Sequence, residues 1–216
     1  MFGANGIDFY VIFDMFLLLL IGMGPKIALV PFLELTTGMD ADLQKQVANK
    51  MVRTGITTAL LLVVLGWFLM RLLHFTPGSA NIAGGIVLLL LALHMLVSPG
   101  KTDHDEKAAD RDPMRMAVYP LAVPYLLNPA GIAALVIASD DIKSIAAGVV
   151  LVAIVLLVGV IDFAVFRNMD KLAKHLDPSR LAITEAIFGV LLAALAVQLM
   201  FEGLVDLGIV SALTGH

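Results

Sequence analysis

The chain has 216 residues, 60% of them hydrophobic and only 15% charged, with a formal net charge of −4 and no cysteine. Its mean hydropathy is +0.96. A soluble domain of this size carries about a quarter charged residues, so a water-soluble globular protein is excluded, as are disulfides and thiolate metal sites.

Stretches free of Asp, Glu, Lys and Arg cover Thr54–Met70, Leu72–Gly100, Met116–Ser139, Ser144–Ile161 and Ala186–Phe201. Each approaches or exceeds the roughly 20 residues that cross a bilayer core. The expected fold is all-α: a polytopic membrane protein with six spans near 9–35, 51–73, 79–98, 115–138, 144–167 and 182–207. The N-terminus lacks a basic region and carries Asp8 and Asp14, which argues against a cleaved signal.

Span 1 contains Gly24-Pro25-Lys26 inside an otherwise apolar run. Insertion scales penalise a lysine there by about 2.5–3.5 kcal/mol. Pro25 removes a backbone donor and leaves carbonyls near Ile21 and Gly22 without regular partners. A cation beside a broken helix at membrane depth suits a small-solute permeation site. A lysine snorkelling to the interface, or paired for packing alone, is the competing reading.

After the Thr36-Thr37-Gly38 turn, Asp40-Ala41-Asp42 starts a short amphipathic approach to span 2. Span 3 follows Thr76-Pro77-Gly78-Ser79 and carries Gly84-Gly85, expected to permit close helix contact. It also carries His94, read as a proton gate or an interhelical hydrogen bond. The linker 100–113 separates a first three-helix unit, 1–99, from a second, 114–216. Its Asp103-His104-Asp105-Glu106 cluster reads as solvated rather than metal-binding.

Span 4 holds Pro120, Pro124 and Pro129, with Asn128-Pro129-Ala130-Gly131 standing where the first half has its Lys26 region. Pro25 and Pro129 are 104 residues apart, and Gly85–His94 overlies Gly189–Gln198 at the same offset. An odd number of spans per half forces the halves into opposite orientations. The expectation is two inverted three-helix repeats with helices 1 and 4 broken at prolines, and a site at their interface. Asp162 in span 5 is the preferred partner of Lys26, and a pair of Asp162 with Arg167 at the interface is the competing reading. Glu185 and Gln198 lie in span 6, Gln198 read as an interhelical hydrogen bond.

Lys45, Lys50, Arg53, Lys101, Lys107, Arg111, Arg115, Arg167, Lys171, Lys174 and Arg180 fall on one side, against Arg71 and Lys143 on the other. Positive-inside then places both termini in the periplasm and the linker in the cytoplasm.

Gly24-Pro25 with Phe32-Leu33-Glu34-Leu35-Thr36 carries a resemblance, together with Ile82-Ala83-Gly84-Gly85 and Leu91-Ala92-Leu93-His94-Met95-Leu96. Tyr119-Pro120-Leu121-Ala122-Val123-Pro124 and Ala196-Val197-Gln198…Glu202-Gly203-Leu204 complete it. On these segments the chain resembles the MarC family (UPF0056, also called the neutral amino acid transporter family) from span 1 to span 6. The resemblance implies a six-span bacterial inner-membrane protein related to the lysine-exporter superfamily, with some relatives associated with transport of small neutral amino acids. The family's first half usually reads Asn-Pro-x-Gly and its second Gly-Pro-Gly. This chain has Gly24-Pro25-Lys26-Ile27 and Asn128-Pro129-Ala130-Gly131 instead.

The leading expectation is a secondary transporter of a small polar or zwitterionic solute, a small neutral amino acid before others, in the lipid bilayer. Gly24, Pro25, Lys26, Asn128, Pro129 and Gly131 would bind it, and Asp162, His94 and Gln198 would serve as charge partners or in coupling. Alternatives are a carrier of an anionic lipid or lipid phosphate, and a non-transporting scaffold with Lys26–Asp162 as a structural pair. No nucleotide-binding, phosphate-loop, triad or metal-ligand motif is present, so neither an enzyme, a cofactor, a metal nor a nucleic-acid partner is expected. A homo-oligomer is left open.

Overall fold

A computed structural model describes residues 9–97, 112–140, 142, 144–169 and 178–210. The Asp103–Glu106 cluster and nearly all of the linker lie outside the described residues, as does Asp177 of the Asp177-Pro178-Ser179 turn. Among the described residues the fold is all-α. Five segments are long and apolar enough to cross a membrane: 12–35, 41–73, 77–94, 145–167 and 189–206. A sixth is obtained if the pair 113–126 and 129–140, bent by 71°, counts as one span.

Helix α1 (Phe9–Met23) stops where the residue before a proline is pushed out of helical geometry. Gly24 is extended, at φ −84° and ψ 171°, and α2 (Pro25–Leu35) restarts with Pro25 at its first position, where no N–H is needed. The bend admits only glycine, because a Cβ on residue 24 would run into the Leu20 carbonyl.

Helix α3 (Ala41–Leu73) has 33 residues and is capped by Asp40, whose side chain accepts from the Leu43 N–H at 2.7 Å. The expected amphipathic approach is therefore the first part of the same continuous helix. At 1.5 Å per residue α3 is roughly 50 Å long, more than the hydrocarbon core needs. It ends at His74 in left-handed geometry, φ 55°.

Helix α4 (Pro77–Val97) is followed, beyond the linker, by the single turn α5 (Pro113–Met116) and a wide, irregular turn over Ala117–Leu126. Tyr119 and Val123, each preceding a proline, are extended at φ near −138°; these are the pre-proline restrictions seen at Gly24. Helix α6 (Pro129–Asp140), α7 (Ile145–Arg167) and α8 (Pro178–Asp206) complete the bundle. Ser144 caps α7 by accepting from the Ala147 N–H at 3.1 Å.

Helix α3 is central and packs against the wide turn, α6 and α7, whereas α4 and α8 form the most extensive pair. That pair runs antiparallel on small residues. A Cβ on Gly78 would lie 2.8 Å from the Gly203 oxygen, one on Gly85 2.7 Å from the Ala196 oxygen, and one on Gly189 3.2 Å from the Ala92 oxygen. Both helices carry these residues seven apart, so backbones approach along two turns at a time. One apolar cluster joins α2, the wide turn and the first half of α3 to α4 and α8 through Phe32, Met51, Leu88, Leu121 and Leu192. A second joins α1, α6 and α7 to the later part of α3 through Met15, Leu19, Ala59, Leu135 and Leu151.

Candidate functional site

The interruptions of span 1 and span 4 meet. Pro25 has no N–H, so the Ile21 carbonyl, four residues earlier, has no helical partner. The Asn128 side-chain amide supplies one, donating to the Ile21 oxygen at 2.8 Å. The Asn128 backbone N–H donates to the Gly22 oxygen at 2.9 Å, and its side-chain oxygen accepts from the Gly131 N–H at 3.0 Å. Asn128 is fully buried. One residue thus satisfies two carbonyls freed by the break in span 1 and caps the restarted α6.

Contact is made by bare backbone. A Cβ on Gly22 would run into Gly131, and one on Gly131 into Gly22. The crossing is closed, with no space for a solute between these two residues. Ile21 and Gly22, which precede Gly24-Pro25, therefore meet Asn128 and Gly131, and both polar ends of Asn128 are engaged with backbone.

Lys26 is not in this cluster. Ile27, Ala28 and Val30 turn inward, and Lys26, at about 100° per residue from its neighbours, is exposed on the outer face of α2. Asp162 is 0% exposed, and neither of its oxygens has a hydrogen-bond partner among the described residues. The expected Lys26–Asp162 ion pair is accordingly absent, because the helical phase of α2 sends the ammonium away from α7. Arg167 does not replace it; its guanidinium lies 5.6 Å from the Phe163 ring centroid.

Asp162 belongs to a buried stripe on α7 formed with Leu151, Val155, Val158, Gly159 and Phe166. One turn before it, Gly159 receives the Ile56 side chain of α3. One turn after it, the Phe166 ring meets Phe32 of α2 at 5.2 Å between centroids. Asp162 thus lies on the face of α7 whose neighbouring residues meet α3 and α2. His94 is half-buried near the end of α4. Gln198 is exposed on α8 and donates to Glu202 Oε1 at 3.0 Å, one turn along its own helix rather than between helices.

Two features were not anticipated from the sequence. An apolar cavity of about 600 Å³ lies between α4 and the broken span, lined by Ala83, Gly84, Val87, Pro124, Pro129 and Ala133. A polar cavity of about 550 Å³ lies along α3 and contains Lys50, Arg53 and three threonines. The threonines recur at helical spacing, which is the signal that could have found the second. Among the described residues no group of three or more His, Cys, Asp or Glu is arranged to hold a metal ion.

A family model described as MarC family integral membrane protein matches residues 9–207. A UPF0056 membrane protein of Pyrococcus horikoshii is 23% identical over 196 residues, covering 88% of this chain and 94% of its own. One from Methanocaldococcus jannaschii is 25% identical over 184 residues, with 84% and 90% covered. YhcE of Escherichia coli, also a UPF0056 membrane protein, is 24% identical over 207 residues, with 91% and 93% covered. No solved structure matches.

Proposed function

The chain belongs to the MarC family of integral membrane proteins, and we propose that it is a secondary transporter of a small zwitterionic solute, a small neutral amino acid in the first instance. The observation that carries this reading is the crossing of two interrupted spans at Gly22 and Gly131, tied by Asn128. Helices α2 and α6 both begin at this crossing, so two positive helix ends face it. If the contact opens, the carbonyls of Ile21 and Gly22 and the Asn128 amide lose their partners together. A carboxylate then suits the helix ends, and an ammonium suits the released carbonyls. Asp162, a carboxyl group buried in a membrane-spanning helix with no hydrogen-bond partner among the described residues, is the coupling residue in this scheme.

An inverted repeat supplies the alternation. Its support is a set of equivalences at the 104-residue offset: Pro25 with Pro129, each opening a helix, and Asp40 with Ser144, each capping one. Gly85 meets Ala196 while Gly189 meets Ala92, the reciprocal contact expected across a two-fold axis. The closed crossing then corresponds to an occluded or resting arrangement.

The test is uptake of labelled glycine and alanine into proteoliposomes, with and without an imposed pH gradient. Gradient-dependent uptake is expected for the parent chain, and Asp162→Asn is expected to remove the gradient dependence. Failure of the parent chain to exchange any small neutral amino acid would overturn the reading. A second reading, a carrier of an anionic lipid or lipid phosphate, is favoured by the apolar cavity beside the broken span and by the outward ammonium of Lys26. Lipid flux in the same vesicles separates the two.

A further inference from the structure

We propose that the cavity along α3 is a binding site for a phosphate-bearing anion at one membrane face, separate from the crossing and independent of the transport reading. Gln46, Asn49 and Met114 of α5 complete its lining, and its charged and hydroxyl-bearing residues are Lys50, Arg53, Thr54, Thr57 and Thr58. They recur three and four apart, so they form one stripe down one helix face. Its length is roughly 12 Å at 1.5 Å per residue.

Positive-inside charge placement accounts for Lys50 and Arg53 near a membrane face, but not for the three threonines beyond them. From Thr54 to Met70 the helix carries no charge, about 26 Å of chain, close to the thickness of the hydrocarbon core. Arg53 therefore stands at its edge and the three threonines below it. A threonine at membrane depth ordinarily returns its hydroxyl to a carbonyl one turn back. Thr36 and Thr37 do so, donating to the oxygens of Phe32 and Leu33 at 2.7 and 2.8 Å. Thr54, Thr57 and Thr58 do not, and neither they nor Lys50 and Arg53 make a hydrogen bond or ion pair among the described residues.

The site thus offers an ammonium, a guanidinium and three free hydroxyls, with no carboxylate among its lining residues. A tetrahedral oxyanion matches this set: the guanidinium takes two oxygens, the ammonium a third, and the hydroxyls donate from below. A phospholipid headgroup and a free phosphate solute share that chemistry.

Two probes distinguish them, a short-chain phosphatidylglycerol and inorganic phosphate, each titrated against the purified full chain with thermal stability as the readout. Saturable stabilisation by phosphatidylglycerol alone assigns the lipid, and stabilisation by phosphate assigns the solute. In either case Lys50→Gln and Arg53→Gln should each raise the half-saturating concentration roughly tenfold or more, the loss of one charge-assisted hydrogen bond. The triple change Thr54→Val, Thr57→Val and Thr58→Val keeps the side-chain shape and should also weaken binding. Lys45→Gln removes an equal charge from the same end of α3 outside the cavity and should leave binding unchanged. The proposal is overturned if Lys45→Gln weakens binding as much as Lys50→Gln, if the threonine triple has no effect, or if neither probe stabilises the chain.

Discussion

At the scale of single residues, the chemistry written into proline was legible and the phase of the helices was not. A proline removes its own N–H and restricts the residue before it, both local effects, and α1 ends at Met23 with α2 starting at Pro25. Whether Lys26 faces in or out depends on which residues of α2 meet the wide turn, α7 and α8, and the answer is out. Asp162 is buried, with no hydrogen-bond partner among the described residues. Lys26→Met should therefore leave folding and insertion intact, and its effect on thermal stability should add to that of Asp162→Asn within about 0.5 kcal/mol, as for independent sites. A strongly non-additive double mutant would restore the ion pair that the geometry lacks. Asn128 behaves differently. Asn128→Ala strands the Ile21 carbonyl and the Gly131 N–H, each loss costing about 1–3 kcal/mol. A melting temperature unchanged by Asn128→Ala would show that the crossing is not held by this side chain.

Among elements, the α4–α8 pair shows how far a sequence motif can be read. Gly84-Gly85 announced a close approach, and the two glycines turn out to serve different neighbours. Gly85 faces Ala196 and Met200 of α8, whereas a Cβ on Gly84 would lie 3.1 Å from Ala133 of α6. The matching residues Gly189, Ala196 and Gly203 are heptad-spaced, but their pairing with Gly78, Gly85 and Ala92 depends on antiparallel register, which local sequence does not specify. Gly85→Leu should force these backbones apart and destabilise the chain by about 1–3 kcal/mol or more, as overpacking does. Leu90→Ala, at a position 63% exposed on the same helix, should change stability little. Comparable losses for the two in a thermal unfolding assay would mean the glycine face is not a packing seam. The first turns of α3 are polar, so the apolar pattern does not show that the helix runs uninterrupted from Ala41 to Leu73. The Asp40 cap marks where it starts, yet nothing in the sequence ends it before His74.

At the scale of the whole molecule, five of the six expected spans, and the sixth if the bent pair counts as one, follow from lengths of apolar sequence, since a bilayer sets the ruler. The relation between the halves does not, because Leu- and Ala-rich helices align by chance. The capping residues carry more information than the apolar runs. Asp40 and Ser144 are chemically different, share no motif, and do the same task 104 residues apart. If the bent pair crosses as one span, each half holds three, and the proposed repeat then puts equivalent positions in the two halves on opposite sides of the membrane. Ala41 and Ile145 are such a pair, the first residues of α3 and α7, and both are exposed. The chain has no cysteine, so single cysteines at these two positions report cleanly. With the basic residues inside, Ile145→Cys should react with an impermeant thiol reagent in intact spheroplasts, and Ala41→Cys only after permeabilisation. The reverse pattern would overturn the orientation and leave the repeat standing. Labelling of both positions from the same side would end the repeat, and with it the alternation built on two opposed interrupted spans.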